Sequence, residues 1–261
     1  MTGRVARQAG EWLPALVILV AVLVLWQGLI AAFDIQQFLL PRPTSIAAAL
    51  WNDAGTLWPA GWYTFKEALG GFAVGSLAGI VFATVVARFR VLGTALMPIA
   101  IAASAVPIIA FAPIFNAWFN PLSPSSKIAI AAVLCFFPVM INTLRGLQSV
   151  RPQQLELMRS YAASELTVFR RVRFPTALPY IFTALKVASV LAMIGAIIGE
   201  YFAGSLTALG VLINNDAELF DFTTAWAGIV VASVLGIALY LAVAAVERAV
   251  VRWSPSARGP A

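Results

Sequence analysis

The sequence predicts an all-α integral membrane protein with six transmembrane helices and a cytosolic two-helix element between the fourth and the fifth. Three observations carry this. Six apolar stretches approach or exceed the length of a bilayer crossing. Basic residues collect on alternating connections. One of those connections carries a helical apolar stripe among its charges.

Apolar residues make up 61 % of the chain and charged residues 11 %, outside the range of a soluble domain. At 261 residues this is one membrane domain. Its core is expected at 68–248, preceded by a span and outer segment at 1–67 and followed by a tail at 249–261. The net charge of +6 does not indicate a nucleic-acid partner, because the charges lie in connections on one side of the membrane. Cys135 stands alone in an apolar run, so no internal disulfide is available. There is no histidine and no Cys/His metal spacing.

Crossing the hydrocarbon takes roughly 20 mostly apolar residues. The expected spans are 12–33, 69–87, 96–119, 128–142, 180–199 and 225–246, the fourth being the shortest. The first is too long for a signal-peptide core and lacks a small-residue cleavage site, so it reads as an anchor that stays. Thirteen of the seventeen basic residues fall before span one, between spans two and three, between four and five, and after six. The opposite connections hold Arg42, Lys66 and Lys127, and the stretch 200–224 has acids but no basic residue. Both termini are therefore expected in the cytosol, in a bacterial inner membrane.

The connection after span one begins with a proline-fixed turn, Pro41-Arg42-Pro43. A short helix from Ile46 to Trp51 follows, for which Thr44 or Ser45 supplies a cap. Trp51, Trp58, Trp62 and Tyr63 suit the headgroup layer, so membrane lipid is the expected neighbour of this segment.

Between Arg151 and Pro175, apolar Leu155, Met158, Ala162, Leu166, Phe169 and Val172 recur every three or four positions. That spacing gives a helix one apolar stripe. Pro152 suits a first helical turn, and Ser164-Glu165 reads as a fresh N-cap followed by a first-turn acid. Pro175 and Pro179 are expected to break the helix before span five. Arg159, Arg170, Arg171 and Arg173 flank the stripe.

This segment resembles the signature loop of binding-protein-dependent ABC importer permeases of type I: Glu-Ala-Ala, a glycine four residues on, and a closing Leu-Pro. Glu156 takes the glutamate position, Leu157 and Met158 replace the alanines, Ala162 stands where glycine is usual, and Leu178-Pro179 closes the motif. Ala162 enters a positive φ less readily than glycine. Pro41-Arg42-Pro43-Thr44 is similar to the nitrate/sulfonate/taurine branch. So is the run from Ile198-Gly199-Glu200-Tyr201 to Leu209-Gly210, whose wording leans toward the pyrimidine-precursor and riboflavin relatives of that branch.

The resemblance implies a transport subunit rather than an enzyme, paired with a separate ATPase. No Gly-Lys-Ser/Thr phosphate loop is present, since Lys66, Lys127 and Lys186 follow Phe65, Ser126 and Leu185. The chain thus holds no cofactor, and ATP and magnesium belong to the ATPase pair. By resemblance, the turn Tyr161-Ala162-Ala163-Ser164-Glu165 is a coupling element. Glu156, Leu157, Met158, Leu166 and Phe169 complete its docking face. A second permease chain, as a homodimer, and an extracytoplasmic solute-binding protein complete the expected assembly. The solute is a small anion such as a sulfonate, taurine or nitrate, or a pyrimidine or vitamin precursor.

Charge inside a membrane is a functional hypothesis by default. Lys186, near the cytosolic end of span five, either snorkels to the interface or lines the pathway. Glu200, at the outer end of the same span, is either interfacial or part of the pathway. Asn116, Asn142 and Ser104 are further pathway candidates, with helix-to-helix hydrogen bonds as the other reading. Gly70, Gly71, Gly75 and Gly79 form a small-residue stripe suited to a close helix contact. Pro98, Pro107 and Pro113 imply kinks in span three, and Pro138 one in span four. The competing function is an ion-coupled carrier working without an ATPase. It needs acids inside the spans, and none are expected there. An integral membrane enzyme lacks catalytic candidates.

Overall fold

The computed structural model describes the backbone of residues 2–252, together with their side chains except those of 2–12, 15 and 90–94. The side chains of Arg4, Arg7 and Arg90, and all of the expected tail beyond 252, including Arg258, lie outside the described residues. The described chain is helical: α1 Thr2–Ala32, α2 Pro43–Asn52, α3 Ala54–Ala87, α4 Arg90–Ser104, α5 Ile108–Trp118 and α6 Pro124–Gln148. After these come α7 Pro152–Ser160, α8 Glu165–Val168, a π turn Phe169–Arg173, α9 Phe174–Phe202, α10 Leu209–Glu218 and α11 Phe222–Val250.

Four helical runs are long and apolar enough to cross a membrane: α3, α6, Glu165–Phe202 and α11. A fifth crossing is made if α4 and α5 count together, although they meet at 85°. In α1 the apolar part Leu16–Ala32 is shorter. Span three is thus broken rather than continuous. Pro107 cannot donate to the ladder and disfavours helical backbone at Val106. The chain closes α4 with Val106 N–H on Ala103 O and restarts α5 with Pro107 as N-cap.

The glycine stripe works as expected. α3 and α6 pack so closely that a Cβ on Gly75 would lie 2.8 Å from Ala132 Cα. Only a residue without a Cβ fits there. α6 in turn packs on α9, and Cys135, Val139, Ala188 and Ala192 are buried among the three helices. α11, α2 and α10 cover this core. α1 reaches it through Trp26, whose ring meets Trp226 of α11 edge-on at 5.2 Å.

Several local expectations are corrected. The helix expected at 46–51 starts earlier, with Arg42 as N-cap and Pro43 in the first turn, and neither Thr44 nor Ser45 caps it. Pro43 already fixes a helical φ, so the start moves to it. Span two extends back to Ala54, making α3 about 50 Å long at 1.5 Å per residue. Span four begins at Pro124, capped by Ser123. Lys66 and Lys127 therefore sit in helices, not in connections. Pro175 and Pro179 do not break span five, because the helix runs through both. The π turn immediately before Pro175 widens the ladder where the missing N–H falls.

Candidate functional site

The insert between α6 and α9 is built by two adjoining caps. At the end of α7, Ala163 N–H donates to Met158 O at 3.0 Å and Ala162 N–H to Arg159 O at 2.9 Å. That bond pair is a Schellman motif, which places its C′ residue in the left-handed region. Ala162 is that residue, with φ 50°. The geometry explains why glycine suits the position and shows that alanine accepts it. Two residues later Ser164 caps α8: its Oγ accepts from Thr167 N–H and its carbonyl from Val168 N–H. A helix, a turn of minimal length and a second helix result, as the spacing predicts.

The insert exposes apolar surface. Leu157 is 56 %, Tyr161 75 % and Leu166 57 % exposed, while Met158, Ala163 and Phe169 are half-buried. Glu156 and Glu165 are exposed beside them. Phe169 packs against Phe174 at 6.0 Å. A groove of about 370 Å³ opens against the ends of α3 and α6, lined by Arg88, Leu147, Glu165, Leu166, Phe169 and Arg173 among others. Isolated exposed leucines need no explanation, but a hydrogen-bonded turn with Leu157, Tyr161 and Leu166 around it has the composition of a docking surface.

At the opposite end of the bundle the structure assembles a second polar group. Glu200 on α9 is buried within the bundle. Thr64 of α3 donates to it, with Oγ1 2.7 Å from Oε1, and Gly210 N–H of α10 donates to Oε2 at 2.8 Å. Leu209 N–H donates to Thr64 Oγ1 at 3.0 Å. These are the first N–H groups of α10, which lack intrahelical acceptors. A carboxylate and a hydroxyl from two other helices therefore cap it. Gly210 is required here: a Cβ would stand 2.8 Å from both Glu200 Cβ and Ile197 O.

Asn116 joins this group, donating through Nδ2 to Gly199 O at 3.2 Å. The other pathway candidates stand apart. Asn142 donates to Pro138 O and Ser104 to Ile101 O, each on its own helix. Ser104 lies at the α4–α5 break, on the rim of an apolar groove of about 450 Å³ that Phe111, Phe115, Leu134 and Phe137 help to line. Lys186 pairs with Glu247 of α11, a partner that sequence reasoning did not name.

Sequence reasoning missed Glu67, Lys127 and Thr64. Glu67 and Glu200 are buried acids in the two helices that carry spans two and five. A signal was present: Glu67 continues the four-residue spacing of Gly71, Gly75 and Gly79. Ending the span at its nearest charges removed Glu67 from that stripe.

Residues 75–252 match the family of binding-protein-dependent transport system inner membrane components. The chain belongs to that family. Over 254 residues the permease is 33 % identical to the riboflavin transport system permease protein RibX of Chloroflexus aurantiacus, covering 95 % of this chain and 94 % of the relative. It is 32 % identical to the formylaminopyrimidine transport permease protein ThiX of Halalkalibacterium halodurans, over 84 % and 87 % of the two chains. A relative at 27 % identity is the putative aliphatic sulfonates transport permease protein SsuC of Escherichia coli, over 91 % and 90 %. Among solved structures, a chain of the MetNI methionine ABC transporter in an inward-facing form shares the fold. Its TM-score is 0.54 at 17 % identity, over 81 % of this permease and 98 % of that chain. The permease is thus a multi-pass membrane subunit of an ABC importer of the nitrate/sulfonate/taurine branch. Its family works with an ATPase and a solute-binding protein.

Proposed function

We propose that this permease, as a homodimer in a bacterial inner membrane with both termini in the cytosol, imports a small nitrogen heterocycle of the pyrimidine or flavin class. A pair of ATPase chains, which bind ATP and magnesium, drives it through the α7–α8 insert. The Schellman turn at Ala162, ringed by exposed Leu157, Tyr161 and Leu166, is the observation that carries the coupling role. It is apolar and leads directly into the 38-residue helical run Glu165–Phe202, which contains the π turn. Displacement of the insert by a partner is therefore transmitted along one helix into the membrane. The likeness to riboflavin and formylaminopyrimidine permeases over nearly the full length supports the solute class.

The test is reconstitution in liposomes with its partner ATPase and solute-binding protein. ATP-dependent uptake of riboflavin or formylaminopyrimidine, in preference to taurine or nitrate, is the expected result. Preferred uptake of a sulfonate overturns the solute class. Uptake by the permease alone, driven by an ion gradient, overturns the ATP-driven reading.

A further inference from the structure

Three ionisable side chains are buried near the first turn of α10, one from each core helix: Glu67 of α3, Lys127 of α6, whose charge acts on both carboxyls, and Glu200 of α9. They are 3 %, 1 % and 1 % exposed. With both carboxyls ionised the group carries one net negative charge, and an uncompensated buried charge is expensive. The hydrogen bonds sharpen the problem. The Glu67 carboxyl lies within hydrogen-bond reach of Glu200, yet two carboxylates are acceptors only. Glu67 Oε2 is buried with no donor among the described residues. The Lys127 ammonium donates instead to the Pro121 carbonyl.

One proton resolves both the charge and the missing donor. We propose that Glu67 and Glu200 hold a single shared proton, forming a buried proton-binding site that, balanced by Lys127, locks α10 onto the three-helix core. The proton rests on Glu67 and is donated to Glu200, because Glu200 already accepts from Thr64 and from Gly210 N–H at the positive end of α10. Titratable and charged groups facing the pair are Tyr63 on α3 and Lys127 on α6. α5 faces it with Asn116, and α10 with backbone N–H groups.

Infrared spectroscopy of the purified full-length permease tests it, through the C=O stretch of a protonated carboxyl and its shift in D₂O. At neutral pH one such band is expected in the wild type, lost in both Glu67→Gln and Glu200→Gln. In Lys127→Met the band doubles, because both carboxyls must then be neutral. Absence of the band from the wild type, the result for two carboxylates bridged by a bound sodium ion, overturns the proposal, as does its survival in either glutamine variant. Should a variant fail to fold, the wild-type spectrum still decides. Amide exchange at Gly210 reports the lock itself. It is expected to quicken about tenfold or more in Glu200→Ala, in keeping with the loss of one charged hydrogen bond, and an unchanged rate overturns that part.

Discussion

Lys186 Nζ on α9 lies 2.6 Å from Glu247 Oε2 on α11, tying together two crossings whose contact is otherwise apolar. The Glu247 side chain keeps only 6 % exposure and that of Lys186 23 %. Removing one partner of a fully buried pair costs roughly 3–5 kcal/mol, because the other charge is left stranded. Lys186→Met should fall below that range, at about 2 kcal/mol, since the lysine side chain keeps 23 % exposure. The double variant Lys186→Met/Glu247→Leu should recover most of the loss. Thermal unfolding of the four species checks this as a double-mutant cycle.

Ala162→Gly should stabilise the insert by roughly 0.5–1 kcal/mol, as the left-handed conformation strains alanine and not glycine. Slower amide exchange at Ala163, whose N–H closes the Schellman pair, is the expected reading. Ala162→Val should move the rate the other way, because a β-branched side chain fits that φ worst.

Ala163→Arg is the cleaner probe of docking, since it leaves the strained position untouched. In the reconstituted transporter it should sever ATP hydrolysis from uptake while the helix content stays at the wild-type level. Full uptake by this variant would sink the coupling role of the insert.

Gly75→Leu should be among the most damaging apolar substitutions in the chain. Its side chain has no space against Ala132 of α6, and overpacking costs about 1–3 kcal/mol even where some relaxation is available. Here the obstruction is backbone, so a loss at or above that range is expected, read as a lower melting temperature and reduced recovery from the membrane. Gly28→Leu, which meets no neighbouring atom, serves as the control.

Asp216 on α10 has its carboxyl pushed up from the usual range, first by burial and then by neighbouring Asp221 and Asp53. A raised pKa means that the folded state holds the proton more tightly. Its stabilising contribution is complete below the unfolded value and is lost as pH rises through the folded one. Protection of α10 amides should thus decline as pH climbs out of the acid range. Asp216→Asn should remove that decline and leave α10 better protected at neutral pH. A wild-type profile flat across the window contradicts this.

Much of the architecture was legible because it rests on local rules. Ser164 announces a cap, Pro107 forbids a ladder bond, and Gly71, Gly75 and Gly79 mark a close contact; each acts within a few residues of itself. The two-helix insert could be read for the same reason, and its resemblance to the family's loop singled out Ala162 as the residue of the left-handed turn. The span boundaries were less legible wherever a charge stood near an end. Hydropathy treats Lys66, Glu67 and Lys127 as places where a helix leaves the membrane, whereas α3 and α6 continue through them.

Composition, period and caps suffice to make this chain a helical membrane protein with a helix–turn–helix insert around Ala162, while its family is carried by the match over residues 75–252. Helix packing is what brings Glu67, Lys127 and Glu200 to one end of the bundle, sets Lys186 against Glu247 and caps α10 from α3 and α9. Burying a charge is expensive in isolation and tolerable when partnered, and the ionisable partners come from different helices about 60 or more residues apart in the chain. No window along the sequence contains both members of such a pair, so their burial becomes intelligible only once the helices are packed.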